Sequence, residues 1–162
     1  PTRISAVRRG TPSERNRDVS CVLDLMIHDL DLALALAKGG VASVSAQGIY
    51  DEVYAEVTFT GGMRARFEAS RIAEHRERTM SVAFDSGLVE VDFLAPSFRN
   101  TTPELLDPDF ASTPGGQDPL GTSVARFVAA AMGEAPRALA TGEEGAKALD
   151  LALAIEKAVG LF

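Results

Sequence analysis

The chain has 162 residues, 46% apolar and 24% charged, which suits a single domain with a sizeable buried core. Its formal charge of -7 argues against a nucleic-acid partner or an anionic membrane surface, and its longest strongly apolar stretch, residues 30–37, is too short to span a bilayer. The single cysteine, Cys21, excludes an internal disulfide and a cysteine-based metal cluster; with no signal-peptide pattern after Pro1, the expectation is a cytoplasmic protein.

Taken in chain order, residues 2–9 alternate as a short strand, and a polar loop over residues 10–18 follows, holding Pro12, Ser13 and Asn16. A Leu- and Ala-rich helix is predicted over residues 22–38, stopped by Gly39-Gly40. Val53, Ala55, Val57 and Phe59 alternate with polar residues, and Gly61-Gly62 signals a two-residue hairpin with positive φ at both positions. Met63, Ala65, Phe67 and Ala69 form the returning strand. Met80, Val82 and Phe84 mark the next, and Val89, Val91 and Phe93 its partner beyond Ser86-Gly87. Residues 94–117, rich in Pro, Thr, Asp and Gly, read as one long irregular connection. Two helices close the chain. Asp118 and Pro119 start the first and Gly133 follows it; Thr141 and Glu144 form a capping box for the second, with Leu149, Ala152, Leu153, Ile155 and Val159 as its apolar face. The fold class is α+β: a predominantly antiparallel open sheet with helices packed on one face.

The chemistry-bearing residues lie on the first long helix. At 3.6 residues per turn, Asp24, His28 and Asp31 share a sector of roughly 60°. Leu23, Ile27, Leu30 and Leu34 flank it on one side and Leu25, Leu32 and Leu36 on the other, so the helix is expected to be buried between layers. Two readings stand. The stripe is a solvated helix edge, or it is a polar seam in which a carboxylate orients an imidazole that exchanges a proton with a substrate hydroxyl. The three donors do not suggest a metal site, because zinc generally takes more nitrogen or sulfur ligands.

The stretch Val22-Leu23-Asp24-Leu25-Met26-Ile27-His28-Asp29-Leu30-Asp31 resembles the Asp-x-x-x-His hallmark of the glucose–fructose oxidoreductase / inositol dehydrogenase / MocA family, in its MviM-like branch. Arg9-Gly10-Thr11-Pro12, Arg15, Asp18-Val19, Glu68-Ala69-Ser70-Arg71 and Gly142-Glu143-Glu144-Gly145 also resemble members of that family, whereas Ser20-Cys21 stands where many of them carry glycine. The resemblance implies an NAD(P)-dependent oxidoreductase acting on a secondary alcohol of a sugar, cyclitol or nucleotide-sugar. It also implies that NAD or NADP is held mainly by an N-terminal Rossmann domain, with His28 as acid/base and Asp24 positioning the reacting hydroxyl. The Glu-Lys-Pro motif of that cofactor domain is missing, as is any Gly-x-Gly-x-x-Gly, so residues 1–162 read as one substrate-binding and oligomerisation domain of a longer protein.

Arg9 and Arg17 around the polar loop, Asp31 on the helix and Arg71 after the strand over residues 63–69 are the candidate substrate contacts. Arg71, His75, Arg76 and Arg78 form a basic cluster that reads either as an anion clamp or as a solvated strand end balanced by Glu74 and Glu77. Glu56, Thr58, Arg64, Arg66 and Glu68 make a polar sheet face, read as solvated or as the interface of a homo-oligomer. Cys21 reads as a small buried residue. The competing function is a non-catalytic α+β ligand-binding or dimerisation module in which Asp24 and His28 are structural.

Overall fold

A computed structural model of the chain describes residues 1–134 and 140–161. Seven strands form one open sheet: β1 (Arg3–Arg9), β2 (Val41–Ile49), β3 (Glu52–Phe59), β4 (Arg64–Ser70), β5 (Glu77–Phe84), β6 (Gly87–Asp92) and β7 (Ser97–Asn100), in the order β2-β3-β4-β1-β5-β6-β7. Every pairing is antiparallel except β1 with β4, which runs parallel because the helical segment over residues 22–36 and the β2-β3-β4 meander return the chain to the flank of the first strand. The α+β class and the predominantly antiparallel sheet expected from the sequence are what the chain adopts.

Period-two alternation places Ile4, Ala6, Val53, Ala55, Val57, Phe59, Ala65, Phe67, Ala69, Met80 and Val82 on one buried face. A π-helical turn (Val22–Met26) leading into α1 (Ile27–Leu36), together with α4 (Gly142–Val159), packs there through Val22, Met26, Leu30 and Ala33, and through Leu151, Ala152 and Ile155. Beyond them lie a 3-10 turn (Phe110–Ser112), α2 (Pro114–Gln117) and α3 (Pro119–Ala131). By register Phe98 of β7 shares the face of Met80, and its ring lies 5.6 Å from that of Phe110, which brings this part of the chain to the same side.

Four local expectations need correction. Of the two hairpin glycines only Gly62 has positive φ; Thr60-Gly61-Gly62 is a three-residue turn in which Gly62 donates to the Phe59 carbonyl. Gly61 is required for a different reason: a Cβ there would sit 2.1 Å from the Lys38 carbonyl at the end of the first helical segment. Strand β2, rich in Ala, Ser and Gly, has too weak an alternation to be seen in the sequence, and β7 with two short helical turns interrupts the connection over residues 94–117. Finally, Leu149 and Leu153 are exposed, and α4 buries Ala148, Leu151, Ala152 and Ile155, because its supporting layer lies under that stripe. The expected caps are in place: Asp118 accepts from Gly121 N–H, and Thr141 and Glu144 cap reciprocally.

The α4 packing predicts a sharp contrast. Ile155→Ala loses about 2–5 kcal/mol in urea unfolding, whereas Leu153→Ala stays within about 1 kcal/mol of the parent. Equal losses at both positions contradict the observed face.

Candidate functional site

The helix that carries Asp24 and His28 starts on a buried serine. The Ser20 hydroxyl accepts the N–H groups of Val22 and Leu23 and donates to Glu156 on α4, both Ser20 and Glu156 being buried. The serine thus satisfies two of the otherwise unpartnered helix donors, and Cys21 N–H goes to the Tyr50 carbonyl. The first turn is wide: Ile27 N–H donates to the Val22 carbonyl, five residues back. Cys21 beneath it is fully buried, and burial pushes its thiol up to about 12.

Asp24 sits in this π-helical turn with its carboxylate held from two sides. Asn16 Nδ2 donates to Asp24 Oδ1 at 2.6 Å, and the Arg71 guanidinium lies 3.6 Å from Asp24 Oδ2. Asn16 has φ 53, a left-handed backbone that Asn adopts more readily than most side chains, and its carbonyl accepts from Arg71. Arg71 also donates from Nε to Asp51 Oδ1 at 3.0 Å and lies 5.7 Å from the Tyr50 ring centroid. The structure therefore brings Arg71 and Asp24 together, with Arg71 largely consumed by protein partners. Asn16 and Asp51, which complete this bracket, were not singled out in the sequence; only the loop closure of 55 residues between Asn16 and Arg71 joins them.

His28 is exposed on the outer side of α1 and makes no side-chain hydrogen bond among the described residues. Leu32 and Leu36, at 39% and 40% exposure, follow it on the same side, so the helix is covered on one face only and not sandwiched between layers. The rotation that exposes His28 is set by its neighbour. Asp29 is buried and takes a bidentate pair from Arg8 of β1, Nε to Oδ2 at 2.9 Å and Nη2 to Oδ1 at 2.7 Å. Asp31 borders the groove between α1 and α4, beside Leu34, Gly39 and Lys147.

The remaining candidates lie elsewhere. Arg9 alternates with Arg8 and so points to the open face of the sheet, where it binds Glu68 and Glu77; the hydrogen bond to Glu68 raises its pKa further. Arg17 stays in the exposed loop, paired with Glu14 at 2.8 Å. On the same open face Arg66 pairs with the directly opposed Glu56 at 2.7 Å and Arg99 with Glu90, which is the cross-strand pairing its charge pattern suggests. Among the described residues no helix is long and apolar enough to cross a membrane.

Comparison with known proteins fits this geometry. The model of the GFO/IDH/MocA C-terminal domain matches residues 5–90. The UDP-N-acetylglucosamine 3-dehydrogenase of Acidithiobacillus ferrooxidans is 28% identical over an alignment of 180 residues, which covers 100% of this chain and 56% of that protein. A crystal form of that enzyme superimposes with a TM-score of 0.84 at 27% identity, covering 100% of this chain and 55% of the other. The WlbA dehydrogenase of Bordetella pertussis, solved with NADH and UDP-GlcNAcA, shares the fold with a TM-score of 0.76 at 17% identity, over 98% of this chain and 54% of its own. The chain thus spans about half the length of the relatives it matches.

Two outcomes follow from the buried groups. Asp29→Asn leaves Arg8 without its counter-charge and lowers the unfolding free energy by about 3–5 kcal/mol. Cys21 resists Ellman's reagent at pH 8: its folded pKa of about 12 against the ordinary 9.0 leaves about a thousandfold less thiolate. The stabilising preference for the neutral thiol is complete below pH 9 and lost as pH rises towards 12, so reaction at pH 8 before unfolding contradicts the burial. From the sequence match and the arrangement of the sheet, the chain belongs to the GFO/IDH/MocA C-terminal domain family.

Proposed function

We propose that residues 1–162 form the substrate-binding domain of a longer NAD(P)-dependent oxidoreductase that acts on a secondary alcohol of a sugar, cyclitol or nucleotide-sugar. The observation that carries this reading is a carboxylate, Asp24, fixed by Asn16 and Arg71 one turn before an unpaired imidazole, His28, on a helix face whose next outward residues are Leu32 and Leu36. An apolar rim around a polar pair favours a covering partner over open water. Similarity to the UDP-N-acetylglucosamine 3-dehydrogenase over the whole chain supports a nucleotide-sugar as the preferred substrate class.

In this reading Asp24 accepts a hydrogen bond from a substrate hydroxyl and orients it, and neutral His28 takes the hydroxyl proton as the alcohol becomes a carbonyl. The nicotinamide, when bound, accepts the hydride. The glycine-rich loop that would cradle its pyrophosphate is not among these 162 residues, so the dinucleotide is assigned mainly to an N-terminal domain. α3 supports the same division: Leu120, Val124, Phe127, Val128 and Met132 make an exposed apolar stripe at helical spacing, a surface suited to another part of the polypeptide. The open sheet face, with its paired Arg and Glu side chains, is assigned to a homo-oligomer, and the protein to the cytoplasm.

The test uses the full polypeptide with its cofactor domain. NAD(P)-linked oxidation is measured over a panel of sugars, cyclitols and UDP-sugars. Replacing His28 by Ala lowers turnover by about 10²–10⁴-fold, and Asp24→Asn acts in the same direction. Full turnover in His28→Ala removes the acid/base role and returns the domain to a non-catalytic binding module.

A further inference from the structure

The basic cluster read in the sequence divides in the structure. Arg71 turns to Asp51, Asn16 and Asp24, and His75 is exposed. Arg78 does something different. It lies directly opposite Arg8 in the β1/β5 register, and the two residues share the helix-bearing face with Met80 and Ala6, two positions along their strands. Like charges directly opposed across a strand pair are destabilising unless something offsets them.

The acids nearby offset this one only in part: the Asp29 carboxylate favours the Arg78 charge but makes no hydrogen bond to it. Both oxygens of Asp29 are taken by Arg8, at 2.7 and 2.9 Å. Glu77 points to the other face and binds Arg9. Asp92 turns its carboxylate to the N–H groups of Leu94 and Ala95. Arg78 itself is half-buried and has no side-chain hydrogen bond or ion pair among the described residues. Burial first, then the charges of Arg8 and Arg76, hold its pKa below the ordinary arginine value. Arg8 and Arg78 thus lie opposite each other beside the single carboxylate of Asp29, with the exposed Arg76 near Arg78, on a chain whose net charge is -7.

We propose that Arg78, with Arg8 and Arg76, forms a binding site for an anionic group of phosphoryl or carboxylate chemistry, beside Asp29 and therefore one residue from His28 along α1. A planar guanidinium with free N–H groups in a partly desolvated place is the donor such oxygens fit. The ligand's identity rests on the sugar-oxidoreductase reading, in which the anion is a diphosphate or a uronate carboxylate of the same substrate. The binding itself does not.

Calorimetry and thermal unfolding of this 162-residue chain at low salt, with pyrophosphate, UDP or glucuronate and with chloride matching ionic strength, test the site. The parent binds at least one probe and is stabilised by it. Arg78→Gln weakens that binding by about tenfold or more, as expected for a lost charge-assisted hydrogen bond, and unfolds without ligand no earlier than the parent. Arg66→Gln, the same charge change on the open face, stays within about twofold. Preference for pyrophosphate and UDP identifies a phosphoryl ligand, and preference for glucuronate a carboxylate. No probe bound by the parent, equal weakening in Arg66→Gln, or a ligand-free Arg78→Gln that unfolds early overturns the proposal. His28→Gln keeps the anion affinity, so failure of the catalytic reading is told apart from failure of this one.

Discussion

The bidentate pair between Arg8 and Asp29 sets the angular position of the helix on which the site depends. A carboxylate in an apolar layer is costly unless its oxygens are satisfied, and Arg8, rising from the central strand β1, satisfies both. With Asp29 and Leu30 both facing the sheet, His28, about 100° from Asp29 and about 200° from Leu30 on the helical wheel, turns away. The same constraint leaves Leu32 and Leu36 outward. The helix is held by one ion pair and by Val22, Met26, Leu30 and Ala33, and its other side is left open.

At its start the helix is held by a second kind of constraint. Ser20 closes the first turn and donates to Glu156, which ties the π-helical turn to the terminal helix α4. The turn widens the spacing by one residue, and the loop residue Asn16 and the strand-end residue Arg71 close around the Asp24 carboxylate. Asp24 is therefore held from two sides, and His28 has no side-chain hydrogen-bond partner among the described residues. A fixed carboxylate beside a free imidazole is a useful combination, because orientation and proton movement ask for opposite properties.

The two faces of the sheet divide their charges in different ways. On the open face Arg9, Arg66 and Arg99 pair with glutamates across strands, whereas Arg3 and Arg64 stand opposite each other, both exposed to water. On the helix-bearing face Arg78 stands opposite Arg8 and has no ion pair among the described residues, although the chain is acidic. Opposed arginines in open water are screened, whereas Arg8 and Arg78 are partly withdrawn from it, so burial distinguishes the two pairs.

Much of this was legible without coordinates. The alternation of residues 53–59 and 63–69, the Asp118 and Thr141 caps and the one-turn spacing of Asp24 and His28 are local properties, written in periodicity and in the side-chain oxygens that helix starts require. Strand β2 escaped because its small residues carry little contrast, and Leu149 and Leu153 misled because apolar spacing does not say which stripe meets a support. What only the tertiary structure decided is long-range: β1 beside β4 in parallel, Arg8 reaching Asp29, Arg9 turned to the opposite face, and Arg71 joined to Asn16 and Asp24. Local pattern follows from the chain's own geometry, whereas these contacts depend on which distant segments the folded sheet sets side by side.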